Sequence, residues 1–513
     1  MKCKKAIALG LASVMLIGTM ATSTTVFAED DLLGCGDVVS FEDEIPFENP
    51  LVENNDPAPT YDEVTEAVED DDLTSIEDEF FPEETNDDEE LDSELSELDI
   101  KREILKDSKK GMKLISLMLL AALALGLSSA ACAEDALPAP TQFLTDALYE
   151  KADAWKDSDL RALAAVMRKA QSGEPVTVAV IGGSITENTI SNGKSDGKVP
   201  VRRSYAEIFR LWWETRFPQA KITFINAGIG GTDSYLGLHR LRRNVMSKHP
   251  DVVLVEFAVN DDGSKSLYKT SYDNLVRRLL QAENPPAVML LFMGQTNGAT
   301  AQSVQAAVGK SYGLPMVSYI NAINSAMKTG VYSAGVLSGD TVHPSAVGHA
   351  LTGEMLWRYL NGVYEKKDAL DPPAPFDAPP VTADKYLNPL LLSETLMPDK
   401  TDGFERGTAN VCRYYPRGWI NQSGEGEFTV TLSFKNLGLL YMRTIDKKSG
   451  RYEVWVDGER AMTVDGNFPN GWGNAITATE VYTSDVSGEH RVTVRAAQGH
   501  EGKLILLGFL TSD

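Results

Sequence analysis

Five short apolar runs, separated by helical or turn-rich sequence, constrain the fold of this chain more than any other feature. The runs are Val176 to Ile181, Ile222 to Ile225, Val252 to Phe257, Ala287 to Phe292 and Met316 to Ile320. Each run is continuously apolar rather than alternating, which indicates strands that are buried on both faces. Strands of this kind that alternate with helices build a parallel sheet with helices on each side. The sequence therefore predicts an α/β domain.

A different pattern follows this region. Beyond about Lys385 the sequence predicts short strands with Gly-containing turns, among them 428–432, 452–456, 491–494 and 503–507. Such strands over roughly 130 residues predict an all-β sandwich or jelly roll. Five prolines between Pro372 and Pro380 predict a stiff connection. We therefore expect an α/β domain over 134–366, a Pro-rich linker over 367–384 and a β-domain over 385–513.

The chain begins with a segment that is typical of export. Residues 1–28 combine three lysines, an apolar run and Val26-Phe27-Ala28 ahead of Glu29, which predicts a secretory signal peptide. The same design recurs over 109–133, where lysines precede eighteen uncharged residues at 114–131. This second segment is either another signal peptide or a transmembrane tether. Both interpretations predict a secreted or cell-surface protein.

Charge and cysteine content narrow the classes of partner. The net charge is −26, and thirty carboxylates without any Lys or Arg lie between Glu29 and Asp99. Like-charge repulsion and few apolar residues predict that 29–108 is a disordered, solvated spacer rather than a partner-binding tail. An acidic chain is not expected to bind nucleic acid. The four cysteines share no CxxC spacing, so we expect no metal site.

Four short motifs carry polar residues through the α/β region. They are Gly182 to Thr186, Asn226 to Thr232, Ala258 to Asp261 and Asp340 to Pro344. Three of them come at the carboxyl ends of predicted strands, which is where open α/β sheets bind their ligands. We expect the four motifs to meet in one site.

Together the motifs supply the groups that a serine esterase needs. A serine hydroxyl becomes a good nucleophile when an imidazole accepts its proton and a carboxylate holds that imidazole in the right tautomer. Asp340 and His343, three residues apart, are expected to form such a pair and to reach Ser184. The backbone N–H groups of Ser184 and Gly231 and the side-chain amide of Asn260 would form the oxyanion hole. This chemistry requires no cofactor.

The four motifs, in this order over residues 176 to 350, resemble the SGNH, or GDSL-like, hydrolase superfamily. The resemblance implies a three-layer, flavodoxin-like α/β/α fold and the hydrolysis of acyl esters. It also implies that Ser184 is the nucleophile, that Asp340 and His343 complete the triad, and that Gly231 and Asn260 complete the oxyanion hole.

Two details of the motifs depart from a simple match. Gly183 stands where the GDSL form has Asp, and Gly230 would replace Gly231 as a donor if the register differs by one residue. The α/β-hydrolase fold is disfavoured, because Ser184 is not followed by the second glycine of a GxSxG turn.

Other residues near the motifs have local interpretations. Arg240 is interpreted as part of a solvated helix face, His349 as structural, and Asp261 as a local hydrogen-bonding group. Asn260 has an alternative interpretation as a turn cap. In the β-domain, aromatic side chains either fill the sandwich core or stack on sugar rings: Tyr414, Tyr415, Trp419, Trp455 and Trp472.

An exported esterase joined to a β-domain resembles carbohydrate esterases that remove O-acetyl groups. The polar, Gly-rich sequence between Thr186 and Ser204 favours a hydrophilic substrate, either an acylated carbohydrate or another small acyl ester. The alternatives are a lipid or thioester acyl hydrolase and a non-catalytic carbohydrate-binding protein. Because the proposed catalytic residues all precede the linker, we expect a chain truncated near Lys385 to keep its hydrolysis of small acetyl esters.

Overall fold

The computed structural model of the protein describes residues 143–194, 203–393 and 395–513. The predicted signal peptide at 1–28, the acidic spacer at 29–108 and the second leader at 109–133 lie outside these residues. All the described residues belong to one compact unit. No helix among them is long and apolar enough to cross a membrane.

Strands and helices alternate through the α/β domain. Its helices are α1 (Asp146–Ala152), α2 (Arg161–Gln171), α3 (Ser184–Glu187), α4 (Tyr205–Arg216), α5 (Ser234–Asn244), α6 (Ser266–Leu280), α7 (Gln302–Ser311), α8 (Tyr319–Thr329), α9 (Ala334–Leu337) and α10 (Ala346–Lys366). Its strands are β1 (Val176–Gly182), β2 (Ile222–Gly228), β3 (Val252–Glu256), β4 (Ala287–Phe292) and β5 (Met316–Ser318). The predicted α/β class is confirmed.

The five strands form a parallel sheet in the order β2-β1-β3-β4-β5. Gly182 at the end of β1 pairs with Gly228 on one side and with Glu256 on the other, so the carboxyl ends of three strands lie level. The strand order reverses at β1, and such a switch point is the usual ligand site of an open α/β sheet. The topology therefore brings the first three sequence motifs side by side.

The predicted strand from Met316 to Ile320 is wrong in its second half. The strand ends at Ser318, whose hydroxyl accepts a hydrogen bond from the Asn321 N–H and caps α8. A serine at this position stabilises a helix start by satisfying an N–H group that has no partner within the helix. A local cap thus overrides the apolar pattern of the next two residues.

Polar caps also set where the helices near the site begin. Ser204 and Glu207 form the predicted capping box at the start of α4. Asp233 accepts from the Leu236 N–H at the start of α5, and Ser345 accepts from the Gly348 N–H at the start of α10. The second motif lies in the loop before α5, and the fourth lies in the loop before α10. The caps therefore fix the carboxyl-side ends of both loops.

The β-domain is antiparallel. Its strands are β6 (Leu390–Leu392), β7 (Lys400–Thr401), β8 (Glu405–Cys412), β9 (Tyr415–Asn421), β10 (Glu427–Arg443), β11 (Arg451–Val456), β12 (Glu459–Asp465), β13 (Ala475–Ala496) and β14 (Leu504–Ser512). The main order is β12-β11-β13-β10-β14-β9-β8, with β6 on β14 and β7 on β10. The predicted all-β domain is confirmed.

The long strands β10 and β13 belong to two half-sheets. Their pairing is interrupted by bulges between Phe434 and Asn436 and between Leu437 and Gly438. The outer half-sheet contains β12, β11 and β7, and the inner half-sheet contains β14, β9, β8 and β6. Phe428 of the outer half-sheet stacks against Phe509 of the inner one, with ring centroids 6.0 Å apart. The two half-sheets therefore face each other as a sandwich.

The inner half-sheet is buried on both of its faces. Alternate residues of β10 point to different cores: Leu437 and Leu439 pack inside the sandwich, whereas Leu440 and Met442 pack with the α/β domain. This second core also contains Tyr235 of α5. Most of α5 is consequently buried, because the parallel sheet covers one of its sides and the β-domain covers another.

The linker is tied to the α/β domain at its end. Thr382 donates from its backbone N–H and its hydroxyl to the Asp273 carboxylate of α6, each over 2.8 Å. Arg277 and Arg278 of the same helix donate to Asp384. These bonds place the first residues of the β-domain directly on α6.

Candidate active site

The first motif forms a tight turn at the end of β1. Gly183 precedes α3, and Ser184 is the first residue of that one-turn helix. A Cβ at Gly183 would lie 2.3 Å from Oδ1 of Asn260, so any other residue there would require the Asn260 side chain to shift. Glycine at this position, where the GDSL form has Asp, lets the Asn260 side chain approach the turn closely.

The structure brings Ser184, His343 and Asp340 together in one hydrogen-bonded line. Oγ of Ser184 lies 3.0 Å from Nε2 of His343, and Nδ1 of His343 lies 2.6 Å from Oδ2 of Asp340. Ser184 and His343 are buried, whereas the Asp340 side chain lies at the exposed rim of the site. Ser184 and His343 lie far apart in the sequence, and the fold brings them together. His343 belongs to the fourth motif, which directly precedes α10.

The turn around Asp340 prepares this carboxylate to accept hydrogen bonds. Oδ1 of Asp340 accepts from the backbone N–H groups of Val342, over 3.0 Å, and of His343, over 2.7 Å. The turn requires a φ of +78° at Thr341, a conformation that costs a β-branched residue free energy. Burial alone would raise the pKa of Asp340, but the bonds from the His343 side chain and from these backbone groups outweigh it and lower the pKa to about 2.

An ionised Asp340 determines the tautomer of His343. A carboxylate without a proton can only accept hydrogen bonds, so Nδ1 of the imidazole carries the proton that Asp340 accepts. Nε2 is then left with its lone pair toward the Ser184 hydroxyl. This arrangement can accept the proton of the serine.

The predicted oxyanion donors lie at the ends of β1, β2 and β3. Ser184 offers its N–H at the start of α3, Gly231 follows β2 with a φ of +65°, and Asn260 follows β3 and is nearly buried. The Gly230 N–H already donates to Oε2 of Glu187 over 2.6 Å. Of the two glycines that the sequence left open, Gly231 is therefore the one available as a donor.

The alternative interpretation of Asn260 as a turn residue describes its backbone only. Its N–H donates to the Phe257 carbonyl over 3.2 Å, which closes the turn after β3. Its side chain instead lies against Gly183, next to the nucleophile. The next residue, Asp261, accepts from the Ser234 N–H and the Gln305 amide, in line with the local role expected for it.

The prediction of a solvated position for Arg240 is wrong. Its guanidinium is completely buried and donates to the carbonyls of Ala227 and Gly182. Arg240 lies on the side of α5 opposite most of its large apolar residues, so the sequence of this helix alone does not reveal that the guanidinium is buried.

A buried carboxyl group beside Ser184 belongs to none of the four sequence motifs. Glu256 ends β3 and accepts from the Thr186 hydroxyl over 2.9 Å, and Thr186 in turn lies 2.7 Å from the Tyr205 hydroxyl. Burial raises the pKa of Glu256 to about 7. His349, which was expected to be structural, lies nearby and bonds the Tyr205 N–H and the Thr189 carbonyl.

Aromatic residues of the β-domain approach the second motif. Trp472 lies in the loop between β12 and β13, and a Cβ at Gly231 would lie 3.3 Å from Cζ2 of its indole. Of the other aromatic residues considered as sugar contacts, Trp419 lies against Phe428 in the sandwich, and the half-buried Trp455 lies against Arg495. Tyr415 is buried, and Tyr414 donates to the Asn226 carbonyl of β2.

The described residues contain no group of three or more His, Cys, Asp or Glu side chains that could hold a metal ion.

Comparison with known proteins agrees with this geometry. Residues 180–351 match the GDSL-like lipase/acylhydrolase family. Two crystal structures of a two-domain esterase active on acetylated mannans, one of them with mannopentaose, are similar to this chain. They share 28% and 29% identity, each with a TM-score of 0.62, and cover 71% of this chain and 98% of theirs. A search of curated proteins found no match.

These findings bear on both domains. The similarity to the esterase structures extends beyond the matched family region, since it covers nearly all of a two-domain chain. Residues 180–351 therefore form a GDSL-like acylhydrolase domain of the SGNH type, and the protein is a carboxylic ester hydrolase whose catalytic domain is joined to an all-β domain.

Proposed function

We propose that the protein removes O-acetyl groups from carbohydrate, with Ser184 as nucleophile, His343 as general base and Asp340 as the carboxylate that orients it. The observation that carries these roles is the line of contacts from the Ser184 hydroxyl through His343 to Asp340. That line lies at the switch point of the parallel sheet, beside three groups suited to bind an oxyanion.

In the first half of the reaction Ser184 attacks the ester carbonyl carbon. As the Oγ–C bond forms, the hydroxyl proton passes to Nε2 of His343 and the carbonyl π electrons move onto the oxygen. The N–H groups of Ser184 and Gly231 and the Asn260 amide stabilise this oxyanion. The C–O bond to the sugar then breaks, and the leaving oxygen takes the proton from Nε2.

The second half restores the enzyme. Water loses a proton to Nε2 of His343 and attacks the acyl-serine, which again forms an oxyanion in the same hole. The bond from the acyl carbon to Ser184 Oγ breaks, Oγ takes the proton back, and the acid leaves as acetate and a proton. Asp340 stays ionised throughout, because its pKa of about 2 lies far below neutral pH.

Two observations support a carbohydrate ester as the substrate. The similar two-domain esterase acts on acetylated mannans, and the similarity covers 98% of its chain. In this protein the sequence between Thr186 and Ser204 is polar and Gly-rich, which favours a hydrophilic substrate over a lipid. The lipid or thioester hydrolase and the non-catalytic binding protein are outcomes of the following test.

The test compares acetate release from acetylated mannan and xylan oligosaccharides with hydrolysis of a long-chain lipid ester and an acetyl thioester. We expect the acetylated oligosaccharides to be the best substrates and Ser184→Ala to release no acetate above background. Preference for the lipid or thioester would assign one of those activities. Glycan binding without any hydrolysis would indicate a silent binding protein.

We further propose that the protein is exported, on the basis of the signal-like segment at 1–28 and its repetition at 109–133. Cell fractionation with sequencing of the mature amino terminus tests this proposal. Maturation at Glu29 or Glu134 is the expected result. An intact amino terminus on a cytoplasmic protein would contradict export, and a membrane-bound protein that retains 114–131 would support the tether.

A further inference from the structure

Arg240 is a buried cation whose hydrogen bonds go to neutral groups. Nη1 donates to the Ala227 carbonyl over 2.6 Å, and Nη2 donates to the Gly182 carbonyl over 3.0 Å. No carboxylate among the described residues lies within ion-pair distance of it, and Glu187 acts on the guanidinium only from farther away, although the side chain is completely buried. Burying a charge without a close counter-charge is costly, so this arrangement requires a compensating advantage.

The two carbonyls belong to the strands that carry the oxyanion donors. Gly182 ends β1 two residues before Ser184, and Ala227 lies in β2 just before the loop that contains Gly231. The Gly182 carbonyl also accepts the Ile229 N–H over 3.1 Å. One guanidinium therefore clamps β1 and β2 together immediately beneath the two backbone donors.

We propose that Arg240 is a positioning residue that holds the Ser184 and Gly231 N–H groups at the separation that an oxyanion requires. This inference rests on the proposed function, because it assigns a role relative to that reaction. A planar guanidinium can donate to two carbonyls along fixed directions, whereas a lysine ammonium is a single point of donation on a different stem. The role therefore needs an arginine and not only a positive charge.

Removal of the clamp should affect the transition state more than the bound substrate. The donors meet a full negative charge only when the tetrahedral intermediate forms, so a shift of either donor weakens that state selectively. A misplacement of about 1 Å in such a site lowers the rate by as much as roughly a hundredfold. A purely structural arginine would instead lower the melting temperature and the amount of active enzyme, with kcat per active site unchanged.

The experiment compares Arg240→Lys and Arg240→Met with matched variants of Arg242, an exposed residue of the same helix. Each enzyme is titrated for active sites, and kcat and KM are measured on a small acetyl ester. Affinity for an alkylboronic acid is measured as well, since its boron bonds to the serine oxygen and places an anionic oxygen in the oxyanion hole. Melting temperature is recorded for each variant.

We expect both Arg240 variants to lower kcat by roughly tenfold to a hundredfold with KM within about twofold, and to weaken boronic acid binding by the same factor. The Arg242 variants should match the wild type. Any of three results would overturn the proposal in favour of a structural role. They are an unchanged kcat per active site, boronic acid binding that does not change in parallel with kcat, and failure of every Arg240 variant to fold. Failure of the proposed function is separable, because it would show as a wild-type enzyme without esterase activity.

Discussion

The two domains of the described chain contribute different things to one site. The α/β domain supplies Ser184, His343 and Asp340 and the proposed oxyanion donors, all from loops at one edge of its sheet. The β-domain supplies an apolar face against α5 and a single indole beside Gly231. This difference shows that the proposed catalytic residues can all lie in one domain although the compact unit includes both.

Contacts between the two domains bear on the expectation that the β-domain is dispensable for small esters. The inner half-sheet shares an apolar core with α5, and the linker is hydrogen-bonded along α6. The location of the proposed catalytic residues before a Pro-rich linker does not reveal which apolar faces the second domain covers. These contacts lead us to expect the opposite result from truncation.

The largest effect is expected from truncation before the β-domain. A chain that ends near Lys385 should be insoluble or unfolded, because re-exposing an apolar side chain costs about 1.5 to 3 kcal/mol and several such residues equal the typical stability of about 5 to 15 kcal/mol. The measurement is the soluble yield, melting temperature and esterase activity. The control is a chain from Glu134 to Asp513, which should fold. A soluble, active fragment would contradict the view that the α/β domain depends on the β-domain for its fold.

Substitution of the catalytic pair should abolish activity while sparing the fold. We expect Ser184→Ala and His343→Ala each to lower kcat by roughly 10⁶, and the double variant to lose little more, because the two residues act as one unit. Trp455→Ala, in the outer half-sheet, is the control and should leave kcat unchanged. Additive losses in the double variant would contradict a shared role.

The oxyanion amide should have a smaller effect. Asn260→Ala is expected to lower kcat by roughly 10² to 10³ with KM nearly unchanged, because its hydrogen bond strengthens only as charge develops on the oxygen. Asn260→Asp should be at least as damaging near neutral pH, since a carboxylate offers no donor and repels the oxyanion. Steady-state kinetics and circular dichroism check both variants. Near-native kcat with an intact fold would return Asn260 to the role of a turn residue.

The smallest effect is expected at the point where the β-domain touches the site. Trp472→Ala removes an indole beside Gly231 and opens space next to the oxyanion hole. We expect the preference for acetyl over butyryl esters to fall by roughly tenfold, because two methylene groups then meet less steric resistance. Competing p-nitrophenyl esters measure the ratio, with Trp455→Ala as the matched control. An unchanged ratio would confine the β-domain to a structural role.

Local patterns made the fold class and the motifs predictable. The strands and the capping box at Ser204 depend on neighbouring residues, and Asp340 and His343 lie within one turn. Arg240 was misjudged because its surroundings come from both domains at once. Trp472 and Gly231 lie close in the structure but far apart in the sequence. Periodicity and motifs describe neighbouring residues, so they do not predict a contact of this kind.

The position of β14 has a consequence for how this protein is made. This strand lies between β10 and β9 in the middle of its half-sheet, and its residues Ile505, Leu507 and Leu510 help to cover α5. During synthesis the catalytic domain emerges first, and its apolar face has no permanent partner until β14 has left the ribosome. Folding dominated by contacts so distant in sequence is slow, because the chain must close long loops before it gains their stability. An export route that carries the chain unfolded and lets it fold only after complete translocation would avoid this interval of exposure.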